Sequence, residues 1–399
     1  MDKAKIIVIL GAGYGGLTCA LKLYSLFKYN TETHIYIIDK NPFHTYKTQL
    51  HEAAVRNVVV SVPIENIIKK TRIKFIQGEV VSISPEGRSV RLRDMELSFN
   101  FLVVSLGSIT NFYNIEGLRE HSLTLQSLDD AQAIFEHING VCEEARLSTN
   151  YNNQRDLLRF VIGGGGLTGV EFAAELVDYL KKGHHPQSFE VIVIEGGKRL
   201  VPSLEEGLSR EIQERLEKKG VTILTNRFIT KRSADTVVLS TGETIRSYTL
   251  IWTGGIRITE LFQSSGLKTG QMGRILVNQY LQAIDYPYIF ALGDNALAMN
   301  PATNKPVPAA AQFALQQGRL VADNVYGLIT RQELIPYTPK VLGEVVSLGR
   351  HLAVGWLAMP FVKKLKFIGF IGSLIKSAIE DKHILLLKKE SRNWMGWQG

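Results

Sequence analysis

The feature that most constrains this chain is a pattern that occurs twice. An apolar stretch, a glycine cluster, a helical stretch, a second apolar stretch and an acid follow one another in both places. The first copy is the strand Lys5–Leu10, then Gly11-Ala-Gly-Tyr-Gly-Gly16, a helix to about Phe27, and the strand His34–Ile38 ending in Asp39. The second is the strand Leu158–Ile162, the glycines of residues 163–169, a helix from about Val170 to Leu180, and the strand Val191–Ile194 ending in Glu195. A stacked-repeat solenoid would need copies much closer together.

Each copy has the chemistry of a dinucleotide-binding βαβ unit. Gly11 permits a tight bend, Gly13 lets the backbone approach a pyrophosphate, and Gly16 lets helix and strand pack closely. Free N–H groups and the helix dipole at the helix N-terminus favour the phosphates, and Asp39 can accept from a ribose. In the second copy Gly164, Gly166 and Gly169 take these places, with Glu195 as the ribose acid. A carboxylate there repels a 2′-phosphate, so NADH is expected over NADPH, although Lys198 and Arg199 follow closely. Glu171 falls in the first turn of the second helix, where a surface acid compatible with the helix dipole is the alternative to a functional one.

Between and beyond the copies, Phe75–Ile83, Ser89–Leu92, Phe101–Val104, Val221–Leu224, Thr236–Leu239, Leu250–Trp252 and Ile289–Leu292 read as strands. Ala309–Ile329 reads as a helix, and the polar Arg146–Asp156 as a boundary. With 399 residues and 45% hydrophobic residues, more than one well-packed domain is expected. Cys19 and Cys142 fit no CxxC or metal-ligand spacing and suggest a reducing cytosol. The opening MDKAKIIVIL shows no signal-peptide region, and no run approaches the ~18 uncharged residues of a spanning helix. The expectation is a chain neither exported nor crossing a membrane.

Taken with Trp252-Thr-Gly-Gly255 and Leu292-Gly-Asp294, the two turns resemble the two-dinucleotide flavoproteins of the glutathione-reductase type. Within these, ILGAGYGGL, IDKNPFHTYKTQLHEAA, VVSLGS, IEGLREH, GGGGLTGVEFAAEL, WTGGIR, ALGDNA, AAAQFALQQG and SLGR resemble the type II NADH:quinone oxidoreductases, in order and over nearly the whole chain. The resemblance implies an α/β fold of two Rossmann-like dinucleotide-binding domains and a C-terminal amphipathic helical segment on a membrane. An FAD domain would comprise residues 1–112 and 260–335, an NADH domain 113–259, and a membrane and quinone segment 336–399.

By motif, the resemblance implies that Gly11, Ala12, Gly13, Tyr14, Gly15, Gly16, Asp39 and Lys40 hold the FAD phosphates and adenosine ribose. Thr48, Val80, Gly107, Asp294 at the ribityl chain, Ala311 near the isoalloxazine and Lys376 complete a non-covalent FAD site. NADH would meet Gly164, Gly166, Thr168, Gly169, Glu171, Glu195, Gly254 and Gly255, with Glu171 the family's acid beside nicotinamide and flavin. Gln312, Gln316 and Ile379 would face the quinone, although the two glutamines could be polar residues of a helix face. No metal is implied. Lys47 departs from the small or apolar residue usual near the flavin. It either faces the isoalloxazine, favouring a reduced anionic flavin, or is a surface lysine.

The net charge of +8 is concentrated in the tail. From Trp356 onward there are eight Lys or Arg and three Asp or Glu. Phe367, Ile368, Phe370, Ile371, Leu374, Ile375 and Ile379 alternate with Lys363, Lys364, Lys366 and Lys376, which reads as a helix lying in a membrane interface, with Trp394 and Trp397 as anchors. The other reading is a helix covering the enzyme's own core or a dimer interface. Nucleic acid is not expected, since no recognition motif accompanies the charge. The function implied is a monotopic NADH dehydrogenase at the cytoplasmic face of the cell membrane, passing electrons from NADH through FAD to menaquinone or ubiquinone, with a homodimer possible. A flavoenzyme using oxygen or ferredoxin, and a non-enzymatic NADH-binding redox sensor, are the rivals.

Overall fold

The computed structural model describes residues 4–183, 188–359 and 364–376. Its first sheet has six strands in the order Gln282–Ala283, Tyr286–Ala291, Phe101–Val104, Lys5–Leu10, Thr33–Asp39 and Lys74–Gln77. Lys5–Leu10 runs parallel to both neighbours. Ile7, Val8, Ile9 and Leu10 are fully buried, which explains the unbroken apolar run: a parallel strand covered on both faces has no polar side. Helix Tyr14–Leu26 follows and packs along helix Ala311–Thr330. The close approach requires glycine, because a Cβ on Gly318 would collide with the Gly15 carbonyl.

The chain leaves this sheet after Val104, builds a second one, and returns at Gln282. The second sheet is all parallel, in the order Leu123–Thr124, Thr249–Trp252, Arg159–Gly163, Glu190–Ile194 and Val221–Leu224. Two crossing segments, Ile109–Thr110 and Ile256–Arg257, pair with each other between the two units. Helix Leu50–Arg56 from the first unit packs against helix Leu167–Lys182 from the second. The polar stretch read as a boundary is instead the end of helix Leu128–Leu147 and most of helix Tyr151–Leu157, the latter capped by the Asn150 side chain.

The tail differs from its expected helical form. Gly343–Ser347, Ala353–Leu357 and Leu365–Gly369 make a three-stranded antiparallel sheet, so Trp356, Phe367 and Ile368 lie on strands. Phe367 is buried and Ile368 exposed, the two-residue alternation of a half-covered strand. Helix begins only at residue 370 and is described to residue 376. The spacing misleads because five residues are too few to separate a period of 2 from one of 3.6. Phe370, Ile371 and Leu374 are exposed on that short helix. Ile379, Trp394 and Trp397 lie outside the described residues. Among the described residues no helix is long and apolar enough to cross a membrane.

Candidate functional site

The glycines of the first turn separate into two kinds. A Cβ on Gly11 would strike the Ser105 carbonyl, one on Gly15 the Leu292 side chain, and one on Gly16 the Gly11 carbonyl. Protein packing alone demands glycine at all three. Gly13 is different: its φ is an ordinary −72°, and a Cβ there would meet nothing within 4 Å. The protein does not need glycine at 13, but a group lying against the helix N-terminus does. The residues present therefore fit an FAD diphosphate.

Distant segments close over this turn. Asp39 accepts from the Ala12 N–H at 2.8 Å and the Asn41 N–H at 2.9 Å. His44 Nδ1 lies 2.8 Å from the Ala12 carbonyl, and the Tyr14 hydroxyl 3.1 Å from Thr48 Oγ1. The Gly78 N–H donates to the Asp39 carbonyl, which brings the chain to Val80 two residues on. Lys40 is exposed beside the acid. Opposite, Asp294 accepts from the Ser108 hydroxyl at 2.7 Å. Fully buried Asn295 accepts from the Gly107 N–H at 3.0 Å and donates to its carbonyl at 2.7 Å. Buried Gln317 accepts from the Gly293 N–H at 2.6 Å, and Ala311 opens the helix that carries it. Sequence reasoning missed Ser108, Asn295 and Gln317, although each adjoins a residue it selected or quoted in a motif.

The second turn repeats the logic. Gly164, with φ +113°, meets the Gly254 backbone, and a Cβ on Gly169 would strike the Gly164 carbonyl. Gly166, like Gly13, faces open space. Gly254 and Gly255 lie against Trp252 and Tyr113. Glu195 accepts from the Gly165 N–H at 2.7 Å and the Gly197 N–H at 2.6 Å. Arg199 donates to the carbonyls of Leu204, at 2.7 Å, and Pro202, at 2.9 Å, so its guanidinium is engaged in its own loop. Lys198 remains exposed. A cavity of about 70 Å³ lies between the units, lined in part by Thr168, Thr253, Gly255 and Gln126.

Glu171 sits where four segments converge. It is 9% exposed, and its Oε1 accepts from the Ser347 N–H at 2.9 Å and from Lys376 Nζ at 2.8 Å. Its Oε2 is 3.8 Å from His51 Nδ1. Burial holds His51 well below its ordinary pKa and the Lys376 charge pushes it the same way, so the imidazole is neutral at physiological pH. One helical turn on, Glu175 lies 3.0 Å from Arg56, which also reaches Glu52 at 2.8 Å. Burial raises the Glu175 pKa against the opposing pull of Arg56. His51, Arg56 and Glu175 were not singled out in the sequence; the first two lie on the helix after the TYKTQ segment.

Gln312 and Gln316 are not brought to Glu171 by any described bond. Gln312 donates to the Gly343 carbonyl at 3.1 Å and accepts from the Leu342 N–H at 3.0 Å. Gln316 donates to the Lys340 carbonyl at 2.8 Å and accepts from its N–H at 2.9 Å. Each amide stands in for a strand backbone and fastens residues 340–343 to the helix.

A family model described as pyridine nucleotide-disulphide oxidoreductase matches residues 5–318. The chain is also 30% identical over 396 residues to the type II NADH:quinone oxidoreductase of Staphylococcus aureus, covering 96% of each chain. This chain belongs to the type II NADH:quinone oxidoreductase family. In fold it is similar to NDH2 of Plasmodium falciparum solved with NADH, with a TM-score of 0.85 at 20% identity, covering 98% of this chain and 96% of that one. It is likewise similar to the sulfide:quinone oxidoreductase of Aquifex aeolicus, with a TM-score of 0.80 at 20% identity, covering 97% and 92%. Within this wider class the family member described here has no redox cysteine pair. Cys19 and Cys142 are buried and unpaired, and burial pushes the Cys142 thiol up to about 11, far from a reactive thiolate.

Proposed function

We infer that this chain oxidises NADH through bound FAD and passes the electron pair to a quinone. The observation that carries this reading is the pair of turns in which Gly13 and Gly166 alone face open space, with Glu171 bonded where the two units and the tail meet. Bound FAD supplies a two-electron carrier between the substrates. The protein's part is position and charge.

In this reading the first turn holds the FAD diphosphate, Asp39 the adenosine ribose and Asp294 the ribityl chain. Ser108 and Gln317 fix Asp294 and its turn, and Asn295 fixes Gly107. The second turn and Glu195 take NADH, with Thr168 and Gly255 beside the inter-unit cavity. Donation from Lys376 and the Ser347 N–H stabilises Glu171 as a carboxylate, with Oε2 toward neutral His51. That geometry suits an acid that orients the nicotinamide and accepts or returns a proton at Oε2. Gln312 and Gln316 shape the quinone end by holding residues 340–343, and Ile379 would line it.

Attachment to the cytoplasmic face of a membrane follows from the exposed Phe370, Ile371 and Leu374 near the basic tail. The test of the whole reading is NADH oxidation by purified protein with and without a soluble quinone, alongside the flavin absorbance. A yellow protein whose NADH turnover rises with quinone bears it out. Equal turnover with oxygen alone would favour an oxidase.

A further inference from the structure

Lys47 has no part in the roles above. It opens the short 3-10 turn Lys47–Gln49. Its segment is stitched across the first glycine turn on both sides of it, by His44 to Ala12 and by Thr48 to Tyr14. Among the described residues its side chain makes no hydrogen bond or ion pair. More than a third of its surface is open, yet surrounding protein presses the ammonium below its ordinary pKa, while Asp294, Asp39 and Asp130 pull it back up and Lys40 adds to the depression. A side chain that is open to solvent and still feels carboxylates from three separate segments stands inside a concave cleft, not on a convex surface.

The order of groups in FAD decides what lies beside it. The molecule runs from isoalloxazine through ribityl, diphosphate and ribose to adenine. Asp294 marks the ribityl end of the first site and Asp39 the adenosine ribose, so the group between them is the diphosphate. Three carboxylates make that cleft hostile to a dianion, and a helix N-terminus supplies only about half a positive charge. We propose that the Lys47 ammonium binds the FAD diphosphate and offsets those carboxylates. The proposal rests on the assignment of FAD to the first turn.

The test uses the purified holoenzyme of Lys47→Met, which keeps the aliphatic stem and removes the charge, and of Lys47→Arg. FAD release is followed by recovery of flavin fluorescence on dilution at several salt concentrations. Lys47→Met should release FAD about tenfold faster, the expected loss of one charge-assisted contact. Its release should also depend less on salt, with the flavin midpoint potential unmoved and Lys47→Arg close to wild type. Unchanged release and an unchanged potential would overturn the proposal in favour of a surface lysine. Unchanged release with a lowered potential would overturn it in favour of a lysine facing the isoalloxazine. If the wild-type protein carries no flavin, the FAD reading itself falls and this proposal with it. Flavin kept by wild type and equally by Lys47→Met defeats the lysine alone.

Discussion

The two glycine turns are built alike and enclosed differently. Around the first, the walls come from across the chain: Ser105, Leu292, Ala314 and the 43–49 segment, with Asp294 and Asn295 bonded to Ser108 and Gly107. Around the second, the walls are nearly all its own unit: Trp252, Thr253, Gly254, Leu200 and Glu195. A site closed by segments far apart in sequence opens only if several contacts are lost together. A site closed by neighbours can exchange its ligand without disturbing the fold. The difference is that between a resident cofactor and a substrate that comes and goes, and it assigns FAD to the first turn and NADH to the second on enclosure alone.

The sharpest way to break this comparison is to fill both open spaces. Gly13→Val should purify nearly colourless. Losing two phosphate hydrogen bonds of about 1.5 to 3 kcal/mol each weakens FAD by about two orders of magnitude or more. Gly166→Val should stay yellow and lose NADH affinity. Flavin content by absorbance per mole of protein, beside the KM for NADH, separates them. Full flavin in the Gly13 variant would mean that the first site is misassigned.

Glu171→Gln probes the junction between the two sites. Turnover should fall about a hundredfold, the scale of a positioned acid–base group, while flavin occupancy is kept, because the residue stands on the second unit's helix. Stopped-flow reduction by NADH against steady-state quinone turnover shows which half-reaction slows. Undiminished rates in both would leave Glu171 a structural ligand of Lys376 and Ser347.

At the second turn, Glu195→Ala should narrow the preference for NADH over NADPH by about tenfold through loss of like-charge repulsion. Arg199→Ala should leave the preference nearly unchanged, since the guanidinium is spent on Leu204 and Pro202. The kcat/KM ratios for the two donors decide it.

The smallest effect concerns pH. Burial keeps both His44 and His51 below their ordinary value of 6.5. The unfolded chain then binds protons that the folded one does not, so their contribution is present above about pH 6.5 and lost as pH falls below it. Thermal midpoints by calorimetry between about pH 5 and 8 should decline on the acid side, and His51→Gln should flatten that decline. An unaltered slope would mean that His51 takes up its proton in the folded state.

What the sequence determined by itself was local. Strand, glycine turn, helix, strand and acid lie within about 40 residues of one another in each copy, so Gly11, Gly13, Gly16, Asp39, Gly164, Gly166, Gly169 and Glu195 could be picked out by spacing and chemistry. The family motifs added Glu171 and Asp294 by resemblance. Only the tertiary structure could show that Gly13 and Gly166 are the glycines the protein does not need for itself, because that depends on what a Cβ would touch in three dimensions. It alone brought His51, Lys376 and Ser347 to Glu171, residues separated from it by 120 to 205 positions. It also turned Leu365–Gly369 into a strand, since the edge of Ala353–Leu357 offers hydrogen bonds that a five-residue pattern cannot announce. Spacing along a chain reports which face a residue takes on its own element; which distant element meets that face is settled by packing and pairing.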